Sequence, residues 1–301
     1  MSANFADRLL AAVQRKGAPV CVGIDPVYDR LPEGFRGTDA GDDAQIQSVR
    51  RYCLELLEVV APIVPAVKPQ SAYFEIYRAK GVEAYFDVVR RARELGLIVI
   101  GDVKRNDIGS TAEAYARGHL SGSASPDAIT VNGYLGADGI HPFVEVARDE
   151  GKGVFVLVRT SNPSGAVIQD FADAAGRKLY EHVAEQVAAI GSAEGLVGER
   201  GFSCVGAVVG ATYPDEARRL RRIMPQQVFL VPGYGAQGAT AGDCAAAFTP
   251  DGTGAIVNAS RSVIFAYNDR KYAGMDWRRA VETAAKAFAQ DMKRGQTTNF
   301  G

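Results

Sequence analysis

Leu97-Ile-Val-Ile-Gly-Asp-Val-Lys-Arg-Asn-Asp-Ile-Gly-Ser-Thr111 opens on four apolar residues, runs into a charged cluster and continues into a helical pattern over 111–120. A short run rich in Val and Ile, with no alternating polar face, reads as a strand buried on both sides. Side chains alternate along a strand, so Asp102 and Lys104 share one face, Val103 takes the other, and Asp107 falls beyond the strand in the turn. Three charges thus converge on one small volume where a buried strand gives way to a helix.

The same strand-loop-helix unit recurs along the chain. Apolar runs fall at 19–25, 63–68, 97–104, 128–133, 153–160, 204–210, 228–233 and 255–261. Helical patterns fall between and after them, at 45–60, 71–95, 111–120, 142–150, 174–190, 214–223, 242–248 and 277–294. Eight strands alternating with helices predict a parallel (β/α)8 TIM barrel in a single domain spanning 1–301, with a doubly wound open sheet as the structural alternative. Segment 31–43 reads as a loop on the first unit and 296–301 as a frayed tail.

A chain of 301 residues, 47% hydrophobic and 23% charged, can bury one large core. Its formal net charge of -1 argues against a sequence-independent grip on nucleic acid, so an anionic ligand must meet local cations. Residues 1–17 carry Asp7, Arg8, Arg15 and Lys16, unlike a signal peptide, and no stretch is long enough to span a bilayer. Cys21, Cys53, Cys204 and Cys244 form no Cys-x-x-Cys pair and suit reduced thiols. These features lead us to expect a cytoplasmic enzyme. His119, His141 and His182 show no metal-ligand spacing, which argues against a zinc or facial-triad site.

In a barrel, the polar residues at strand ends face one rim. Lys68, in Val67-Lys-Pro-Gln70, joins Asp102, Lys104 and Asp107 there as a neutral alternating set. The plain alternative is a salt-bridge network closing the barrel mouth, at a desolvation cost that brings no functional return. Val231-Pro-Gly-Tyr-Gly-Ala-Gln-Gly238 contains Gly-x-Gly-x-x-Gly, but in the seventh unit and followed by Asn258-Ala-Ser-Arg261 instead of an acidic strand end. Backbone N–H groups near Gly235 and the Arg261 guanidinium would suit a phosphate; a tight turn beside a surface Arg is the other reading. Arg159-Thr-Ser-Asn-Pro-Ser-Gly165 could offer Ser161 to the edge of a polar heterocycle, with Gln237 reaching from across the rim, or be an ordinary turn. Asp25 could accept from ribose hydroxyls or cap a turn.

These motifs together resemble orotidine 5′-phosphate decarboxylase, in its longer bacterial form called type 2. The resemblance rests on Asp102-Val-Lys-Arg-Asn-Asp-Ile-Gly-Ser-Thr111, on Val67-Lys-Pro-Gln70 with Ala72-Tyr-Phe-Glu75, and on Thr160-Ser-Asn-Pro163. Pro232-Gly-Tyr-Gly-Ala-Gln237 and Asn258-Ala-Ser-Arg261 complete it, with Asp25 and Val131-Asn-Gly-Tyr-Leu-Gly136 in support. It implies a carboxy-lyase that converts orotidine 5′-monophosphate to UMP and carbon dioxide with no cofactor, the last step of de novo pyrimidine synthesis. Lys68, Asp102, Lys104 and Asp107 would be the catalytic tetrad. A homodimer is implied, with Asp107, Ile108 and Thr111 lent to the neighbouring site. Asp25 would bind ribose, Ser161 and Gln237 the pyrimidine or the lid over it, and Gly235 and Arg261 the phosphate. Asn106 departs from the family pattern, where Gly is expected, and Asn tolerates the left-handed backbone that Gly favours. Segments 163–168 and 233–238 are the expected lids.

Losing carbon dioxide at C6 leaves an in-plane carbanion with no conjugated sink, so a fixed cation must stabilise it; Lys104 fits that need and that of proton donor. Two other readings remain. A magnesium-dependent lyase or aldolase of the hexulose-phosphate synthase group shares the Asp-x-Lys-x-x-Asp pattern, though Lys68 opposes a cation there. A non-catalytic nucleotide-binding barrel would keep the phosphate loop without the charged tetrad.

Overall fold

Each of the eight apolar runs becomes a parallel strand, and hydrogen bonding carries each onto the next until the last meets the first. This computed structural model describes residues 3–37, 41–235 and 238–300, the side chains of 296–300 excepted. The strands are β1 (Val20–Ile24), β2 (Ala66–Pro69), β3 (Ile98–Arg105), β4 (Ala128–Asn132), β5 (Gly153–Arg159), β6 (Ser203–Val209), β7 (Gln227–Val231) and β8 (Ala255–Ala259). The helices are α1 (Phe5–Lys16), α2 (Asp42–Val60), α3 (Ala72–Glu75), α4 (Arg78–Glu94), α5 (Gly109–Leu120) and α6 (Ala137–Asp149). They continue as α7 (Ala166–Gln169), α8 (Leu179–Gly191), α9 (Pro214–Ile223), α10 (Ala241–Ala245), α11 (Arg261–Ile264) and α12 (Trp277–Phe300). The strand order closes the TIM barrel expected from the sequence and rules out the open doubly wound sheet. No described helix is long and apolar enough to cross a membrane.

Register decides which side chains fill the barrel. Gly23 pairs with Lys68 and Cys21 with both Ala66 and Asn258, so these residues form adjacent interior layers. The outward face of each strand meets helices through Val, Ile and Leu side chains that are fully buried.

Helix boundaries differ from the sequence expectation in several places. The pattern over 71–95 splits into α3 and α4 because Arg78 takes φ +57°. A Cβ at Gly81 would stand 1.8 Å from the Phe74 carbonyl oxygen, so the two helices close on each other where only glycine fits. α6 begins at Ala137, ahead of the expected Pro142, and carries that proline inside it. α8 starts at Leu179, after 174, because Asp173 Oδ1 accepts from the N–H groups of Ala175 and Arg177 and holds that segment in a turn.

Sequence reasoning missed the short α7 and α11, and it missed α1. Asn4 caps it by accepting the Ala6 N–H at 2.8 Å, and Gly17 ends it in the left-handed region at φ +68°. Its buried Phe5 and Leu9 cover the amino end of the barrel. Phe5 meets Phe155 edge to face at 5.8 Å, and a Cβ at Gly153, where β5 starts, would lie 2.2 Å from the Phe5 ring. At the same end, Arg221 donates to the carbonyls of Ala247, Met224, Gln227 and Gly254 with its guanidinium over the Phe229 ring. The frayed tail expected over 296–301 is instead helical as far as Phe300, where α12 ends, and Gly301 lies outside the described residues.

Candidate active site

The carboxyl ends of β2 and β3 bring Lys68 and Asp102 face to face inside the barrel. Lys68 Nζ stands 2.5 Å from Asp102 Oδ2, and both side chains are only 8% exposed. Gln70 Nε2 donates to the same oxygen at 3.0 Å. On the other side of the carboxylate, Oδ1 accepts from Lys104 Nζ at 2.5 Å and from Thr130 Oγ1 at 3.0 Å. Four donors therefore saturate Asp102, the condition under which a buried carboxylate stays ionised.

Burial alone would raise the Asp102 pKa, but the Lys68 and Lys104 ammonium groups outweigh it and hold the carboxyl well below the usual range. Burial likewise pulls Lys68 down, yet Asp102 and Asp25 together leave it raised. Cys21, one layer deeper, is pushed up to about 12 by burial, with Lys68 pulling the other way. It is a buried thiol with no nucleophilic character near neutral pH.

Lys104 differs from Lys68 in access: its side chain is 48% exposed. Its backbone also leaves the strand conformation, at φ +44°, in the region that costs an L-residue about 1–2 kcal/mol. The step from Gly101 to Arg105 on β3 matches the shorter step from Ile129 to Val131 on β4, so β3 bulges here. The Lys104 N–H, turned out of the ladder, donates to Thr130 Oγ1 at 3.0 Å. Besides Gly109, the left-handed residue of this motif is thus Lys104; Asn106, where that freedom was expected, is not among the positive-φ residues.

Lys68, Asp102, Lys104 and Thr130 form the charged floor of a cavity of about 360 Å³. Thr160, Ser161 and Asn162 supply a polar wall, and Leu157, Val208, Leu230 and Pro232 an apolar one. A flat heterocycle with polar edges suits such a slot. A larger cavity of about 600 Å³ lies against α2 among Phe35, Arg36, Arg50 and Arg51, away from the buried charges.

The remaining expected site residues separate into three groups. Asp25 follows β1 beside Lys68, and its Oδ1 is buried without accepting a hydrogen bond from the described residues. Asp107 does not join the others in this chain: its Oδ1 accepts the Ile108 N–H at 2.9 Å, and it is absent from the cavity wall. Three charges therefore do not converge as the alternation argument suggested, because the bulge at Lys104 carries the chain out of the barrel before residue 107. Ile108, 53% exposed, and Thr111 stand on the outer rim at the start of α5. Gly235, at φ +68°, lines a separate cavity of about 450 Å³ between the loop after β7 and α12, beside Ser262. Arg261 is exposed at the start of α11, and Gln237 lies outside the described residues.

Thr130 and Gln70 are the functional contacts that sequence reasoning did not single out. Thr130 is the one hydroxyl within the apolar strand β4, which was the available signal.

The comparisons with known proteins agree with this geometry. The sequence model of the "Orotidine 5'-phosphate decarboxylase / HUMPS family" matches residues 18–275. The chain belongs to that family. Among its relatives, the orotidine 5′-phosphate decarboxylase of Rhodopirellula baltica is 42% identical over 303 residues, covering 96% of this chain and 99% of the relative. That of Deinococcus radiodurans is 42% identical over 266 residues, covering 88% and 91%. A crystal structure from Streptomyces avermitilis, provisionally assigned as the same enzyme, superimposes with a TM-score of 0.82 at 35% identity, covering 98% of this chain and 97% of that one.

Proposed function

We propose that this chain is a single-domain orotidine 5′-phosphate decarboxylase that converts orotidine 5′-monophosphate to UMP and carbon dioxide without a cofactor, with Lys104 stabilising and protonating the C6 carbanion. The Lys68–Asp102–Lys104 array is the observation that carries this reading: one buried carboxylate held between two ammonium groups on the cavity floor, of which Lys104 is much the more exposed.

In this mechanism the bond between C6 and the carboxylate carbon breaks, the electron pair stays on C6, and carbon dioxide leaves. The Lys104 ammonium, fixed before the reaction, offsets the charge that develops at C6 and then transfers a proton from Nζ to that carbon. Lys68 stays buried and keeps Asp102 ionised. Asp102 sets a negative charge close to where the substrate carboxylate would stand, and departure of carbon dioxide relieves that repulsion. Ser161 reads the pyrimidine, joined by Gln237. Asp25 accepts from the ribose, and the Gly235 turn and Arg261 meet the phosphate, whose binding energy can be used to order the site.

The active unit is a homodimer in which Asp107, Ile108 and Thr111 complete the partner's site. Exposed apolar side chains around the Asp107 loop, Ile108, Tyr115, Tyr134 and Leu135, support that pairing. The four free, buried cysteines suit the reducing cytoplasm.

The hexulose-phosphate synthase alternative needs Asp102 to bind a divalent cation, yet both its oxygens already accept an ammonium. Purified protein is expected to release carbon dioxide from orotidine 5′-monophosphate equally with and without EDTA, and the Lys104→Ala variant to lose at least about a thousandfold in kcat while staying folded. No carbon dioxide release, or release abolished by EDTA, would overturn the assignment.

A further inference from the structure

Between the end of β5 and α7 the chain closes a polar ring behind the cavity wall. The Thr160 N–H donates to Gln169 Oε1 at 3.1 Å, and Gln169 Nε2 donates to Thr160 Oγ1 at 2.6 Å. Thr160 Oγ1 donates onward to Asn162 Oδ1 at 2.7 Å, and Asn162 Nδ2 to Ser164 Oγ at 3.2 Å. A Cβ at Gly165 would come within 2.9 Å of Thr160 Oγ1, so the ring leaves no room for a side chain there.

Arg159 anchors this ring to the barrel. It is 1% exposed, and its Nη1 donates to Gln169 Oε1 at 3.2 Å and lies 3.0 Å from Asp170 Oδ1. Its Nε and Nη2 donate to Glu216 of α9 at 2.6 and 3.3 Å, and its guanidinium packs against the rings of Tyr180 and Tyr213. Because Gln169 Oε1 accepts from both Arg159 and the Thr160 N–H, the amide has one orientation, which turns Nε2 toward Thr160 Oγ1. That donation commits the Thr160 proton to Asn162. The relay has a direction, and it fixes three successive residues, Thr160, Ser161 and Asn162, all of which line the cavity.

We infer that Gln169, which does not itself line the cavity, is a positioning residue that sets the register of the Thr160–Asn162 wall and so the discrimination between pyrimidine bases at Ser161. The inference rests on the decarboxylase reading, in which Ser161 meets the base. Its physical basis is that a polar group recognises a donor-acceptor edge only while it is held in place, and one misaligned buried hydrogen bond weakens binding about tenfold.

The test measures inhibition by UMP, CMP and ribose 5-phosphate in wild type, Gln169→Leu and Gln169→Glu. UMP and CMP share sugar and phosphate and differ at the base edge. In Gln169→Leu the preference for UMP over CMP is expected to fall about tenfold, with ribose 5-phosphate binding within about twofold of wild type. Gln169→Glu keeps the acceptor for Thr160 N–H and Arg159 but loses the donor, and should fall between the two. An unchanged UMP/CMP ratio in Gln169→Leu overturns the inference, as does equal weakening of all three ligands, which would report general loosening. Should Gln169→Leu not fold, an unchanged ratio in Gln169→Glu overturns it alone. A wild type that binds neither nucleotide and releases no carbon dioxide would instead overturn the decarboxylase reading, and this inference with it.

Discussion

Lys104 is tied to Asp102 by two routes: its Nζ stands 2.5 Å from Oδ1, and its backbone N–H donates to Thr130 Oγ1, which donates to that same oxygen. The second route needs the N–H turned out of the β3 ladder, which the backbone achieves at φ +44°. Local strain is thus held by the same hydroxyl that helps saturate the carboxylate, and the strained residue is the more exposed of the two lysines on the cavity floor.

Replacing Lys104 separates backbone strain from chemistry. Lys104→Ala and Lys104→Gly both remove the ammonium and should both lose turnover. Glycine adopts positive φ freely, so Lys104→Gly should be the more stable of the two by about 1 kcal/mol, a melting-temperature gap of about 2–4 °C. Equal melting temperatures would show that the left-handed angle stores no strain.

The proposed exchange of Asp107 between subunits can be read from mixtures of inactive proteins. Among the described residues of one chain Asp107 accepts only the neighbouring Ile108 N–H, so the proposed catalytic role requires a second copy. Co-refolding Lys104→Ala with Asp107→Ala gives hybrid dimers with one intact site, if the residue acts across the interface. Activity should then recover to about a quarter of wild type, half the dimers being hybrids with one of two sites working. An Asp107 acting within its own chain would give no recovery.

Acid stability should fall in two separate windows. Burial and the neighbouring Arg105 hold His119 down to about 4 from an ordinary 6.5, while Glu75 pulls it up. The unfolded chain therefore takes a proton that the native state refuses, and stability drops between pH 6.5 and about 4, by on the order of 2 kcal/mol. Asp102 has its folded pKa below an ordinary 3.8, so its contribution is complete above that value and is lost as pH falls through the folded one. Lys68 is raised above 10.5; its contribution is complete below that value and is lost only as pH rises past the folded one. Urea unfolding across pH should show the first decline removed by His119→Gln and the second flattened by Asp102→Asn. A single decline unaffected by either substitution would contradict this account.

The strands were legible in the sequence because burial on both faces leaves a run of Val and Ile that no other environment requires. Lys68 and Asp102 could be read as partners for a related reason: ionisable groups at the end of a buried strand need each other. What the sequence did not show was a matter of backbone path. Alternation placed Lys104 on the Asp102 face, but nothing local marks the bulge that sends Asp107 out of the barrel, since its cause is a hydrogen bond to Thr130 on the next strand. The split at Arg78 depends likewise on α3 closing against Gly81. The missed helix α1 did carry local signals, Asn4 and Gly17 at its two ends, but no strand precedes it, so the repeating unit gave no reason to look there.

That helix supplies a test of the fold independent of the chemistry. Phe5 occupies the space beside Gly153, where a Cβ would stand 2.2 Å from the ring, at the amino end of β5. Gly153→Ala must therefore push α1 off the barrel or bend β5, and should destabilise the protein by about 1–3 kcal/mol, the usual cost of overpacking. Phe5→Leu alone should cost a comparable amount by leaving a void, since the ring also loses its edge contact with Phe155. Combined, the smaller side chain makes room for the added methyl, so the double variant should be less destabilised than the sum of the two single variants by about 1 kcal/mol or more. Because the proposed catalytic array, Lys68, Asp102 and Lys104, sits at the carboxyl ends of β2 and β3, the opposite end of the barrel, kcat of each folded variant should match wild type. Strict additivity in denaturant unfolding would mean that the ring and residue 153 do not meet, and that α1 is held to the barrel by other contacts.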